Sequence, residues 1–86
     1  MKELEKIYKA LGNRRRLAII KFLKTKKEAS VTEISEHLKL SFRSTSKHLT
    51  VLRQLDIIDR EYRYLSVIYS LNQSTHPIIR HFLTLI

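Results

Sequence analysis

Apolar residues recur along the first quarter of the chain at intervals of three and four, the spacing that places side chains on one face of a helix. The first such pattern stops at Gly12, a residue type that commonly follows the last helical turn. A second pattern starts after Asn13, whose side chain can cap a helix. This predicts two helices, with apolar faces formed by Leu4, Ile7, Tyr8 and Leu11 and by Leu17, Ile19, Ile20, Phe22 and Leu23.

Two further helices are predicted by capping residues. Ser30 and Glu33 have the spacing of a capping box, ahead of an apolar stripe of Val31, Ile34 and Leu38. After a short turn, Ser41 can cap the next helix, "FRSTSKHLTVLRQL", which reaches Leu55. This helix has two faces at helical period: an inward one of Thr45, Leu49, Leu52 and, on its flank, Leu55, and an outward one of Arg43, Ser46, Lys47 and Thr50. The outward face, here called the outer stripe, is free to contact a ligand.

The stretch "IIDREYRYLSVIYSL" is rich in β-branched and aromatic residues, which favour strands. It predicts a hairpin of Ile57 to Arg60 and Val67 to Leu71, with residues 61–65 at its tip. A last helix is expected over "HPIIRHFLTLI", capped by Ser74 or Thr75, with Pro77 in its first turn. The pattern therefore predicts one domain over residues 1–86, mainly α with a small β-hairpin, in the order α-α-α-α-β-β-α.

The charge balance bears on the partner of this domain. Lys and Arg number 17 against 8 Asp and Glu, a formal net charge of +9, and 43% of the residues are hydrophobic, enough for a folded core. A folded chain of this charge favours a polyanion such as nucleic acid, while a merely solubilising surface is the alternative. There is no Cys, which excludes disulfides and thiolate metal sites. With no spanning segment or signal peptide in the sequence, a cytoplasmic, nucleoid-associated protein is expected.

A helix, a short turn, a helix with a polar outer stripe and then a basic hairpin is the order of a winged helix-turn-helix. The sequence resembles the ArsR/SmtB family of transcriptional regulators in four segments that span most of the chain in the family's order. The most specific piece is Ser46-x-His48-Leu49. The four segments are "ALGNRRRLAIIKFL" from Ala10, "VTEISEHLKLS" from Val31, "STSKHLTVLRQLDII" from Ser44 and "VIYSL" from Val67.

The resemblance implies a homodimer that binds double-stranded DNA, with the first and last helices at the dimer interface. The expected interface residues are Leu4, Ile7, Ile78, Ile79, Phe82, Leu83 and Ile86, together with Leu85. The helix of the outer stripe would be the recognition helix, contacting DNA through Arg43, Ser44, Ser46, Lys47 and Thr50. The hairpin would be the wing, contacting DNA through Arg60, Tyr62, Arg63 and Tyr64. Arg16 is expected to hold the second helix in place, and Asp56 stands where the family usually has Gly.

Departures from the family argue against a metal site. Thiolate positions of metal-sensing members correspond here to Ser30 and Thr32, whose hydroxyls cannot replace thiolates for a soft ion. A second family site begins with an Asp-x-His pair, which is Ser74-x-His76 here, and the later ligands are missing. No metal and no cofactor are therefore expected, and the roles of His76 and His81 stay open.

Two residues of the recognition helix have alternative interpretations. Phe42 lies at the border of the two stripes, where it can touch a thymine methyl group or pack under the turn, and packing is the expected arrangement. His48 is expected to orient its neighbours, with a titrating DNA contact as the alternative.

The leading functional hypothesis is a sequence-specific dimeric repressor that binds an inverted repeat and does not respond to metals. A metal-sensing repressor of the same family and a nonspecific nucleic-acid or protein-interaction module are the alternatives. An enzyme is not expected, because no Ser, His and acid form a recognisable triad.

Overall fold

The computed structural model describes residues 1–86 as five helices around a three-stranded sheet. Local capping explains where most helices begin, as the sequence predicts. The elements are α1 (Lys2–Leu11), α2 (Arg14–Lys26), β1 (Glu28–Ser30), α3 (Val31–Leu38), α4 (Phe42–Gln54), β2 (Ile58–Arg63), β3 (Ser66–Leu71) and α5 (Pro77–Leu83). None of these helices has the length and apolar character needed to cross a membrane.

The predicted N-caps Asn13, Ser30 and Ser41 are confirmed. The Asn13 side chain accepts hydrogen bonds from the backbone N–H groups of Arg15 and Arg16 at 3.0 and 3.1 Å. Ser30 and Glu33 form the reciprocal capping box, at 3.1 and 2.9 Å. Each bond satisfies an N–H group that the first helical turn leaves without an intrahelical partner.

The cap of α5 corrects the sequence-based prediction. Nδ1 of His76, rather than a hydroxyl of Ser74 or Thr75, accepts the N–H of Ile78 at 3.1 Å, and Pro77 takes the first helical position. Thr75 is instead buried, and its hydroxyl has no hydrogen-bond partner. The helix ends at Leu83, whereas the apolar pattern predicted a helix that continues to Ile86.

The sheet contains one strand that the sequence did not reveal. The order is β1-β3-β2, with both neighbours antiparallel to β3, and Ala29 of β1 pairs with Tyr69 of β3. A strand of three residues is too short to show an alternating pattern, and its backbone groups find partners only once β3 is in place. The element order is therefore α-α-β-α-α-β-β-α.

The hairpin is longer than predicted and its loop is shorter. Arg63 pairs with Ser66, so only Tyr64 and Leu65 form the turn, whereas a tip of residues 61–65 was expected. Tyr64 has a φ of 55° and Asp56, just before β2, a φ of 57°. Asp56 thus adopts the left-handed conformation for which the family uses Gly, and Asp is among the residues that tolerate it.

The core lies between the helices and the inner face of the sheet. Its thirteen buried residues are Ile7, Ala10, Ile19, Ile20, Leu23, Ala29, Ile34, Leu49, Leu52, Ile57, Ile58, Tyr69 and Ile79. Two of them, Ile7 and Ile79, were expected at a dimer interface. Both are at most 1% exposed within a single chain, which corrects that expectation, because they have no surface left to offer a partner. The other expected interface residues are partly or largely exposed.

Candidate DNA interface

Helix α4 is fixed to the body of the domain at its start and along its inner face. The Ser41 hydroxyl accepts the N–H of Ser44 at 3.0 Å, and the Thr45 hydroxyl donates to the carbonyl of Ser41 at 2.9 Å. Thr45, Leu49 and Leu52 are each at most 1% exposed. The predicted inward face is therefore confirmed, and it determines which residues face solvent.

The turn between α3 and α4 is tight. Lys39 adopts a left-handed conformation, and the backbone N–H of Leu40 donates to the carbonyl of Ser35 at 3.0 Å. The backbone N–H of Lys39 donates to the carbonyl of Glu36 at 3.3 Å. The two bonds satisfy carbonyls at the end of α3 that have no partner within the helix. Helices α3 and α4 thus form a helix-turn-helix unit with α4 on the outside.

The outer stripe faces solvent as predicted. Arg43, Lys47 and Thr50 are exposed, while Ser46 and the neighbouring Ser44 are partly exposed. Neither cation forms a salt bridge or a side-chain hydrogen bond within the chain; the salt bridges involve only Lys9, Lys26 and Arg63. The stripe therefore presents two unneutralised cations on a rigid helix.

The wing carries its predicted contact residues on two opposite faces. Arg60 and Tyr62 share one face of β2, because side chains two residues apart in a strand point the same way. The Arg60 guanidinium lies over the Tyr62 ring, 5.6 Å from its centroid, and has no acidic partner. Tyr62 and Tyr64 are 71% and 104% exposed, so both phenols are available to a ligand.

Arg63 points to the other face of β2 and is neutralised there. Its guanidinium donates to both carboxylate oxygens of Glu28, at 2.7 and 2.9 Å, and also to Glu61. The hydrogen bonds from Arg63 hold the pKa of Glu28 below its usual value, and the same carboxylates raise the pKa of Arg63. Arg63 therefore ties the wing to β1, a role the sequence did not suggest because Glu28 is 35 residues away.

Arg16 joins three helices, as expected of a structural residue. Its guanidinium donates to the carbonyls of Ala10 and Lys9 in α1, at 2.8 and 3.2 Å, and lies 3.4 Å from Nδ1 of His48 in α4. Desolvation, reinforced by Arg16 and then Arg15, lowers the pKa of His48. Nδ1 of neutral His48 can accept a hydrogen bond from the Arg16 guanidinium, and this contact helps to hold α4 against α2.

Two exposed apolar residues lie outside the main set of predicted contact residues. Phe42 was expected to pack under the turn, with a thymine contact as the alternative, but it is 61% exposed and does not pack there. Helical side chains tilt toward the N-terminus, so the first residue of α4 overhangs the start of the helix instead of lying on the core. Leu65, which the sequence already placed at the tip of the wing, is 103% exposed.

The side chains that correspond to family metal ligands are occupied otherwise. The Ser30 hydroxyl belongs to the capping box, and Nδ1 of His76 caps α5. No three His, Cys, Asp or Glu residues converge in a way that could hold a metal ion.

Comparisons with known proteins agree with this geometry. Residues 13–60 match the model of the bacterial regulatory protein arsR family. Reduced HlyU from Vibrio cholerae N16961 is 30% identical, with a TM-score of 0.82 over 98% of this chain and 84% of that one. The transcriptional repressor PagR of Bacillus anthracis is 27% identical, with a TM-score of 0.80 over 98% and 92%.

A more distant structure shows the same fold. The homodimeric winged helix-turn-helix DNA-binding domain of a possible ArsR-family regulator from Mycobacterium bovis is 21% identical, with a TM-score of 0.84 over 98% of this chain and 75% of that one. No curated protein sequence gives a significant match. The family model covers more than half of the chain and the fold agrees throughout, so the chain belongs to the ArsR family of winged helix-turn-helix proteins, which bind DNA and regulate transcription.

Proposed function

We propose that this protein is a homodimeric, sequence-specific transcriptional repressor that binds an inverted repeat in double-stranded DNA and does not require a metal. The observation that carries the proposal is the outer stripe of α4. Its two free cations stand on a helix whose opposite face is fully buried. A recognition helix needs this combination, because base contacts discriminate only when the side chains that make them are held in register.

Each residue of the interface has a role in this proposal. Arg43, near the start of α4, donates two hydrogen bonds to O6 and N7 of a guanine in the major groove. Ser46 and Lys47 contact neighbouring base edges, and Ser44 contacts a phosphate oxygen. The Thr50 hydroxyl donates to the Ser46 carbonyl, so Thr50 adds its methyl group to the interface. On the wing, Arg60, Tyr62 and Tyr64 contact the adjacent backbone, whereas Arg63 supports the wing through Glu28.

Apolar surface on α1 and α5 supports the dimer. Leu4, Ile78, Phe82 and Leu83 are only partly buried, and Leu85 and Ile86 are 68% and 37% exposed. A domain this small gains stability by covering such a surface with a second copy. Two-fold symmetry would then present two α4 helices to successive major grooves, about 34 Å apart.

Repression without a metal is the simplest regulation that fits the side chains present at the positions of the family's metal ligands. The structural match PagR is described as a transcriptional repressor. Hydroxyls replace thiolates at Ser30 and Thr32, and His76 is engaged as a helix cap. Repression would follow if the bound dimer covers the site at which polymerase assembles.

Selection of duplexes from a random library by the purified, metal-free protein tests the proposal. We expect an enriched inverted repeat whose half-site centres lie one helical turn apart, bound by a dimer in sedimentation analysis. Zinc or nickel should leave the affinity unchanged. An unenriched library, with equal loss of affinity for all sequences in Arg43→Ala and Lys47→Ala, would instead identify a nonspecific nucleic-acid binder.

A further inference from the structure

Phe42 is an exposed apolar residue to which the contacts proposed above give no role. It is the only one of the three Phe residues that is largely exposed, at 61%, and it occupies the first position of α4. If a ligand covered this phenyl ring, the apolar surface removed from water would favour binding.

The surroundings of the ring form a shallow concave surface on α4. It is lined by Phe42, Arg43, Ser46, Lys47, Thr50 and Val51. The Thr50 hydroxyl donates to the carbonyl of Ser46 at 2.9 Å, which leaves the methyl group of Thr50 as the part of that side chain free to meet a ligand. The surface is thus apolar between two cations that have no acidic partner.

The two cations and the apolar surface between them indicate which kind of chemical group can bind there. Unpaired cations at the edge favour a polyanion, and an apolar floor favours a hydrocarbon group on it. Among the four base pairs, only those containing thymine expose an apolar group in the major groove, the 5-methyl of the base. We infer that Phe42 recognises a thymine by packing against its 5-methyl group in each half-site, an inference that rests on the proposed DNA-binding function.

Removal of that one methyl group tests the inference. In the selected operator, each thymine is replaced in turn by deoxyuridine, which keeps every hydrogen bond and removes only the methyl group. For the wild-type protein we expect one symmetry-related pair of positions at which affinity falls about three- to tenfold, the range for losing one or two buried methyl contacts.

The Phe42→Ala variant completes a double-mutant cycle. It should bind the thymine operator more weakly than the wild type does and should lose nothing further on the deoxyuridine operator, because the contact is already absent. Phe42→Leu, which keeps an apolar side chain, should restore part of the discrimination. Tyr62→Ala, which removes a proposed backbone contact of the wing, is the matched control. It should weaken binding to both operators equally and so leave the thymine-to-deoxyuridine ratio unchanged.

The outcomes separate the inference from the function on which it rests. Specific binding that is equal for all deoxyuridine operators, or that selects no thymine in the half-sites, would overturn the role of Phe42 and leave the repressor proposal standing. The role would also be overturned if Phe42→Ala kept the full thymine preference. Binding without any site preference would overturn the repressor proposal itself. Thermal melting of each variant confirms that affinity is measured on folded protein.

Discussion

Helix α4 has fully buried residues along most of its length, from Thr45 to Leu52, whereas the wing has none beyond its base, at Ile58 and Tyr69. The helix is held by packing, and the outer part of the wing by ladder hydrogen bonds and the ion pair between Arg63 and Glu28. Both elements carry candidate DNA contacts. The difference indicates that the backbone of α4 is held in place before any ligand binds, while the wing has more freedom to adapt.

The two regions also differ in how many of their cations are free of acidic partners. Arg43 and Lys47 on α4 are free of acidic partners, but one of the two wing arginines is neutralised by carboxylates of its own chain. A neutralised cation releases few counterions when it meets a phosphate. We therefore expect α4 to supply more of the affinity and sequence preference than the wing does.

The largest difference concerns stability. Leu49→Ala should lower the free energy of unfolding by about 2–5 kcal/mol, because it removes a side chain that is 1% exposed and leaves a cavity under α4. Tyr62→Ala, at a position that is 71% exposed, should change it by no more than about 0.5 kcal/mol. Urea unfolding followed by circular dichroism measures both. Similar values for the two variants would refute the contrast between a packed helix and a projecting wing.

The second difference concerns affinity for the operator. Arg43→Ala should weaken specific binding by about 1–3 kcal/mol and relax the preference at one base position, because it removes a bidentate contact. Arg43→Lys should lose most of that preference as well, since an ammonium group cannot form the fork. Lys21→Ala removes an exposed cation outside both candidate contact surfaces and serves as the control. Fluorescence anisotropy on matched and single-mismatch duplexes gives both quantities.

The ion pair of the wing provides a third comparison. Glu28→Gln leaves Arg63 with Glu61 as its remaining carboxylate partner. The change should make Arg63 more available to a phosphate and steepen the dependence of log affinity on log salt by up to about 0.9 per protomer. In an Arg63→Gln background, the same Glu28→Gln change should leave the slope unchanged. A steepening that persists without Arg63 would mean that Glu28 acts only through its own negative charge.

The smallest expected effect is a pH dependence of stability at the contact between His48 of α4 and Arg16 of α2. The pKa of His48 is lowered in the folded protein, so below about pH 6.5 the unfolded chain binds a proton at His48 before the folded chain does, and the free energy of unfolding falls as pH falls. Above that pH His48 is neutral in both states and no longer makes stability depend on pH. His48→Asn keeps an acceptor for Arg16 but does not titrate, so its melting temperature should fall less than that of the wild type between pH 7.5 and 5.5. Parallel pH profiles for the two proteins would exclude this role for His48.

The features that could be predicted from the sequence are those whose partners are close in the chain. Asn13, Ser30 and Ser41 cap helices through bonds that span two or three residues, so residue type and spacing are sufficient to predict them. The inward face of α4 followed from helical period in the same way. The capping role of His76 was missed, although it is also local, because imidazole is a less usual cap than the hydroxyls next to it.

By itself, the sequence determined the order of the helices and the hairpin, the buried and exposed faces of α4, and the excess of positive charge, since these depend on local geometry and composition. Only the tertiary structure decided that Glu28 joins the sheet and neutralises Arg63, that Ile7 and Ile79 belong to the core, and that Phe42 stands in solvent. The physical reason is that each of these outcomes depends on atoms far away in the chain. Their positions are fixed only when the helices pack and β1 pairs with β3.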